Sequence, residues 1–360
     1  MTTYADSGVN IELGDDASKI MYNAARLTWD NRKGLIGEVI CPTEDFSGVR
    51  AIEVGKLPAG TVMSMGFDGV GTKVEIAERV GHHETVAFDL FAMVCDDAVV
   101  YGGEPVLIGS IFDVNSLGTD KNSNIDLMKQ LAKGYVEAAK AARVAVINGE
   151  IAELGARISG YGAFNYNWGS AAIWFGAKDR LFTGKEIKVG DKVIALRENG
   201  FRSNGLSLFR KIMKDNYGEN WHSEKLNGKP MGELALAPSK IYCAAVCDMF
   251  GGFAGEKKCE VHGASHITGG GIPGKLGRVL RRAGLGAKLN NLFEPCELMK
   301  HAIEKGKVSH EEAYKTWNMG NGMLVIVAPG EEQKAIKIAA QHGIESVVCG
   351  EIKKETGIEL

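Results

Sequence analysis

The sequence predicts a chain of mixed α/β and α+β class in two domains, and three observations carry that prediction. A length of 360 residues suits two medium domains better than one large one. Apolar positions alternate between strand-like and helix-like periods along the chain. Glycine is in excess, 47 residues, nearly twice the usual share of ~7%. With only eight prolines and no repetitive tract, those glycines read as tight turns and backbone–ligand approaches. Hydrophobic residues at 45% and charged residues at 24% are globular values that argue against disorder, collagen and coiled coil. The 42 basic and 45 acidic residues leave −3, too balanced to point to nucleic acid or an anionic membrane.

From the amino terminus, Met1 to Asn10 is polar and lacks a signal-peptide layout. No apolar run approaches the ~18–20 residues of a membrane span. Thr61 to Met65 predicts a short buried strand ending at a turn over Gly66 to Gly71. Val86 to Val100 is apolar and helix-length. Met128, Leu131, Ala132, Tyr135, Val136 and Ala139 recur at helical steps behind a cap at Ser123 or Asn124. A strand at Val144 to Ile147 stops at Asn148-Gly149-Glu150, and Ala171 to Phe175 is strand-like. The polar stretch Gly176 to Gly184 sets the expected boundary, giving domains 1–176 and 177–360. Beyond it come a strand at Lys192 to Leu196 and helices near Leu206 to Met213, Pro238 to Phe250 and Lys275 to Arg282. A closing strand, helix and strand fill Met323 to Glu351. No solenoid or propeller repeat is present. Seven cysteines without a Cys-x-x-Cys fit reduced thiols and a cytoplasmic location.

Chemistry concentrates in a few segments. In Gly66-Phe67-Asp68-Gly69-Val70-Gly71-Thr72-Lys73, closely spaced glycines let backbone N–H groups point at one anion. Threonine precedes lysine, so the segment is not a P-loop, whose order is Gly-Lys-Ser/Thr. Asp68 there suits a magnesium ion held against phosphates, or else caps a turn. Asp89, Asp96 and Asp97 interrupt the apolar helix; the first two share a face and the third lies about a quarter-turn away. Buried carboxylates are costly unless paired, so at least one of them faces a cation or a polar cleft, the alternative being that they cap a neighbouring element or pair with an arginine. Glu150 follows a strand, where ligands gather in α/β folds. Asn199 to Gly205, with Arg202, Ser203 and Asn204, and His266 to Gly271, with Thr268, Gly269 and Gly270, are strand-to-helix loops suited to phosphate. Each also reads as a plain glycine-rich connection. His82-His83 reads as solvent-exposed, and Cys243 with Cys247 as core. Cys259 and His262 have metal-like spacing but no second pair. No Gly-x-Ser-x-Gly elbow occurs.

In this order the segments resemble the aminoimidazole ribonucleotide synthetase (phosphoribosylformylglycinamidine cyclo-ligase) family. Similarity begins at Tyr4-Ala5-Asp6-Ser7-Gly8-Val9 and continues through Asp68 to Lys73, then Asp97 with Gly102-Gly103-Glu104-Pro105. Gly149-Glu150 with Ala152-Glu153, Ser203-Asn204-Gly205, Thr268 to Gly271 and Asn318-Met319-Gly320-Asn321-Gly322-Met323 follow. The resemblance implies an amino-terminal domain forming a β-barrel between the subunits of a homodimer, beside a carboxy-terminal α+β layered domain. It implies ATP and magnesium as cofactors and a small-molecule nucleotide substrate, with no nucleic-acid or membrane partner. Ring closure would follow phosphoryl transfer to the formyl oxygen of formylglycinamidine ribonucleotide, releasing ADP and phosphate. By position, Asp68, Asp97 and Glu150 would hold magnesium. Gly69, Gly71, Thr72, Lys73, Arg202, Ser203, Asn204, Thr268, Gly269 and Gly270 would contact ATP or phosphate. Asp97, Lys73 and His266 would be catalytic.

Some positions depart from the family pattern. Arg202 stands where a histidine is usual, Ser110 near a usual aspartate, Asp96 in an asparagine slot, and Ile151 after Gly149-Glu150. Glu44-Asp45-Phe46-Ser47-Gly48 replaces a glycine- and phenylalanine-rich segment. The alternatives are other ATP-dependent members of the superfamily, akin to selenophosphate synthetase or thiamine-monophosphate kinase, or a silent nucleotide-binding subunit. Against the first, Cys41 is followed by Pro42 and not by lysine.

Overall fold

A computed structural model describes residues 10–43, 46, 48–119 and 121–360. The motif at Tyr4 to Val9 and residues Glu44, Asp45 and Ser47 lie outside the described residues.

Helix α1 (Ile11–Thr28) starts at Asn10, whose Oδ1 accepts from the Leu13 N–H at 3.2 Å. After it, β1 (Thr61–Gly69), α2 (Lys73–Val80), α3 (Val86–Val99), β2 (Glu104–Val114), α4 (Ile125–Ala142), β3 (Ala145–Glu153) and β4 (Tyr166–Ala177) follow. The four strands make one sheet in the order β1-β4-β2-β3. Only β2 and β3 are parallel, and α4 is the crossover between them. Period-two alternation gives this sheet two different faces. Ile108, Phe112, Val114, Tyr166, Trp168 and Ala172 are buried in the core with the helices. The opposite face presents Met65 (49% exposed), Phe67 (73%) and Ile111 (57%).

The second sheet contains β5 (Lys192–Arg197), β6 (Val261–His266), β7 (Gly286–Leu289), β8 (Asn321–Val327), β9 (Ser346–Lys353) and β10 (Gly357–Glu359), in the order β6-β8-β5-β9-β7-β10. Its helices include α5 (Leu206–Tyr217), α6 (Cys243–Phe250), α7 (Gly271–Ala283) and α8 (Glu332–Gln341). The run Asn321 to Val327 is buried throughout, as in a strand covered on both sides. Leu324 and Ile326 join one apolar cluster with Ile272, Leu276 and Leu280 of α7. Val325 and Val327 join another with Ala335 and Ile338 of α8. That second cluster also takes in Leu90, Phe91 and Val94 of α3, so one core ties the two sheets together.

Several sequence expectations change here. The glycines at 66 and 69 do not begin a turn: β1 runs through them, Gly69 opposite Gly169 of β4. Asn148-Gly149-Glu150 is likewise mid-strand, with Gly149 opposite Ser110. The helix expected from Pro238 begins only at Cys243. His83 is buried, not exposed; its Nδ1 lies 3.0 Å from the Tyr166 hydroxyl, and burial pushes its pKa down to about 4. Cys243 and Cys247 are core residues, as read. Among the described residues no helix is long and apolar enough to cross a membrane.

Gly134 on α4 marks a close approach, because a Cβ there would run into the Glu84 carbonyl. Alanine normally favours a helix over glycine by about 1 kcal/mol. Gly134→Ala is nonetheless expected to destabilise by about 1–3 kcal/mol through overpacking. Urea denaturation checks this, and an unchanged or raised midpoint would contradict it.

Candidate active site

Three loops and two carboxylates converge where α3 ends between the sheets. The turn after β1 carries Gly69, Gly71 and Thr72, and a Cβ on Gly71 would lie 3.9 Å from the Ser203 carbonyl oxygen. Asn204 neighbours Gly269 in turn: a Cβ there would sit 3.3 Å from Asn204 Oδ1. The segments around Gly69–Thr72, Ser203–Asn204 and Thr268–Gly270, far apart in sequence, therefore line one region. Gly205 and Gly270 take positive φ of 72° and 96° just ahead of α5 and α7, a backbone state that glycine adopts without penalty.

Asp68 and Asp97 lie within electrostatic reach of each other and of Lys275. Burial raises the Asp68 carboxyl above its usual range and the Asp97 charge adds to that, while the Gly69 N–H, donating to its Oδ1 at 2.7 Å, opposes both. Asp97 is also partly buried, which alone would raise it. The hydrogen bond from His266, with the charges of Lys275 and Arg202, outweighs burial and holds it below the usual range.

A chain of buried polar groups fixes Asp97 from behind. Arg202 bonds Asp96 Oδ2 through Nη2 at 2.9 Å, and Glu198 Oε2 and the Lys240 carbonyl through Nη1, each at 2.8 Å. Its Nη2 also lies 2.7 Å from His266 Nε2. A guanidinium only donates, so Nε2 accepts and the ring proton resides on Nδ1. That Nδ1–H donates to Asp97 Oδ1 at 2.7 Å. His266 is thereby a fixed tautomer that orients Asp97. The second carboxylate of α3 is neutralised separately. Asp89 Oδ1 accepts from Lys73 Nζ at 2.7 Å and from the Ser239 hydroxyl at 2.5 Å, and Lys73 also donates to the Ala237 carbonyl.

This geometry bears on two of the expected phosphate contacts. Lys73 and Arg202 are fully buried, and each is ion-paired to buried protein carboxylates. Neither presents a free cation to a phosphate, because Asp89 and Asp96, buried on the same face of α3, require them as counter-ions. The pairing alternative for those aspartates is the one observed. Asp97, a quarter-turn away, has a half-exposed side chain. Among the described residues no three His, Cys, Asp or Glu side chains gather into a metal-holding group within the single chain. Glu150 and Asp68 border a cleft of about 710 Å3 on the open face of the first sheet. Ser110 reaches that cleft too, but its hydroxyl is 2.7 Å from the Tyr135 hydroxyl. His262 pairs with Asp191 at 2.7 Å, not with Cys259. Lys275 had no assigned role in the sequence; the signal available was its place on the helix behind the Thr268–Gly271 run.

Comparison with known proteins gives both halves of the chain relatives. Residues 49–166 match the family profile "AIR synthase related protein, N-terminal domain", and residues 188–360 match "AIR synthase related protein, C-terminal domain". A phosphoribosylformylglycinamidine cyclo-ligase of Anaeromyxobacter sp. (strain Fw109-5) is 33% identical over 356 residues, covering 99% of this chain and 97% of the relative. That of Pyrococcus furiosus is 32% identical over 358 residues, with the same coverage. Among solved structures, thiamine-monophosphate kinase from Stenotrophomonas maltophilia K279a shares the fold with a TM-score of 0.56 at 15% identity, over 94% of this chain and 95% of that one. Hydrogenase maturation protein HypE in complex with ATP matches at 0.56 and 14% identity, over 84% and 79%.

Proposed function

The chain belongs to the AIR synthase related family and groups with its phosphoribosylformylglycinamidine cyclo-ligases, and on that footing we propose that it closes formylglycinamidine ribonucleotide to aminoimidazole ribonucleotide with ATP. It is then a C–N bond-forming ligase of purine biosynthesis, releasing ADP and phosphate. The observation that carries this reading is identity of 32–33% running the length of both chains. Likeness to the kinase and to HypE stops at the fold, so the superfamily alternatives are not favoured.

In the proposed site, ATP phosphates lie against the N–H groups of Gly71 and Thr72 and the loops of Ser203-Asn204 and Thr268 to Gly270. Successive N–H groups at such turns and helix starts are suited to anions. Asp68 and Asp97 fit magnesium, which is commonly held by one or two carboxylates together with substrate phosphates. When bound, the ion would neutralise charge on the transferring phosphoryl group. Asp97 is kept ionised and aimed by the His266 Nδ1–H, and the buried Arg202 holds His266. The formyl oxygen takes the phosphoryl group, the amidine nitrogen attacks the formyl carbon, and phosphate departs as the ring closes. The chain's part is to fix these groups at attacking distance. Lys73 and Arg202 serve as the scaffold of this site and not as its phosphate ligands. Glu150 is assigned to the rim of the cleft. The division into a 1–176 nucleotide, metal and dimerisation domain and a 177–360 substrate domain is supported by two sheets that share no strand. A coupled phosphate-release assay tests the function: release from ATP should require the ribonucleotide, and release indifferent to it would remove the reading.

The exposed face of the first sheet supports a homodimer in which two such sheets close a barrel. Met65, Phe67 and Ile111 form an apolar patch of the kind a second copy covers. Sedimentation should give twice the chain mass of 38.6 kDa, and a Phe67→Glu, Ile111→Glu variant should sediment as a monomer. A monomeric parent would contradict the barrel.

A further inference from the structure

Helix α7 carries Lys275, Arg278 and Arg282, spaced three and four residues apart and therefore on one face. That face borders a cavity of about 70 Å3 whose other walls include Asp97, Tyr101, Ser265 and His266. None of the three cations has an ion pair or side-chain hydrogen bond among the described residues. Most other cations near the two-carboxylate site, Lys73 and Arg202 above all, are consumed by protein carboxylates. Ser265 is 1% exposed and its hydroxyl has no partner, although it lines the same cavity. A buried hydroxyl ordinarily has one. Three unpaired cations and an orphan donor thus face a space with one carboxylate, Asp97, whose Oδ1 is already tied to His266.

This donor set has a chemical preference. Forked guanidinium groups and an ammonium suit a dianion with several oxygens better than a carboxylate. A cavity of this size has room for several waters, which is enough for one phosphoryl group but not for a nucleobase or a triphosphate. Asp97 is in its wall, and it shares no lining residue with the cleft over the open sheet face. We infer that it is a phosphate-monoester site in which Lys275, Arg278 and the Ser265 hydroxyl hold the 5′-phosphate of the ribonucleotide, with Arg282 at the rim. The identity of the ligand rests on the cyclo-ligase reading; the existence of the site does not.

Titration calorimetry of the full chain with ribose 5-phosphate, inorganic phosphate and ribose tests it. The parent should bind ribose 5-phosphate and not ribose. Lys275→Gln with Arg278→Gln should weaken that binding at least about tenfold, as expected for losing two charge-assisted contacts. Lys275→Arg should retain it, and an unchanged melting temperature would show that the double variant is folded. In steady state the double variant should raise KM for the ribonucleotide about as much, with KM for ATP little changed. Equal binding by parent and variant, or no binding to the parent at millimolar concentration, would overturn the site. Inorganic phosphate binding as tightly as ribose 5-phosphate, with the ribonucleotide KM unmoved, would overturn the substrate assignment in favour of product phosphate. A parent that cyclises nothing yet shows the variant-sensitive binding would leave the site standing and remove the cyclo-ligase reading.

Discussion

Asp97→Asn is expected to lower turnover by about a hundred- to a thousandfold, the usual cost of losing one preorganised electrostatic group at a reacting centre. The substitution keeps the shape and an oxygen that can still accept from His266 Nδ1–H. What it removes is the negative charge that the site keeps ionised despite partial burial. Magnesium-ATP affinity should fall with it, while the unfolding midpoint should hold. Asp68→Asn should act in the same direction. Both variants binding magnesium-ATP like the parent would contradict the carboxylate pair as metal ligands.

The second large effect is on stability. Arg202 lies between Asp96 and Glu198, all three side chains fully buried. Arg202→Leu leaves two carboxylates without their cation, and breaking a buried pair in this way costs about 3–5 kcal/mol. Denaturant unfolding should therefore register Arg202→Leu first, with activity lost along with the fold. Arg202→Lys keeps the charge but cannot reach Asp96, Glu198 and His266 together, so it should fall in between. If Arg202 were a surface phosphate anchor, the variants would unfold like the parent and differ only in KM.

What could be read in the sequence was mostly local. The apolar run Val86 to Val100 marked the helix observed over Val86–Val99, and helical geometry put Asp89 and Asp96 on one buried face, with Asp97 apart. It could not name their partners, because Lys73 is 16 residues from Asp89 and Arg202 is 106 from Asp96. Glycine misled at Gly66–Gly69 and Gly149. Each sits within a strand, and their partners across the ladder include Gly169 and Ser110, so only the pairing register distinguishes strand from turn. His83 looked exposed beside His82, and its burial depends on Tyr166, 83 residues away. The three phosphate-suited loops were visible one at a time. Their convergence, like the unpaired cations of α7 facing Ser265, is a property of how the two sheets pack around α3.

The most direct test of the account follows the formyl oxygen. With formylglycinamidine ribonucleotide carrying ¹⁸O in the formyl group, one turnover should deliver that label into the released phosphate, read by mass spectrometry. Labelled phosphate in amount equal to the ribonucleotide consumed is the predicted result. Unlabelled phosphate would mean that the formyl oxygen is never phosphorylated, and would contradict the proposed chemistry.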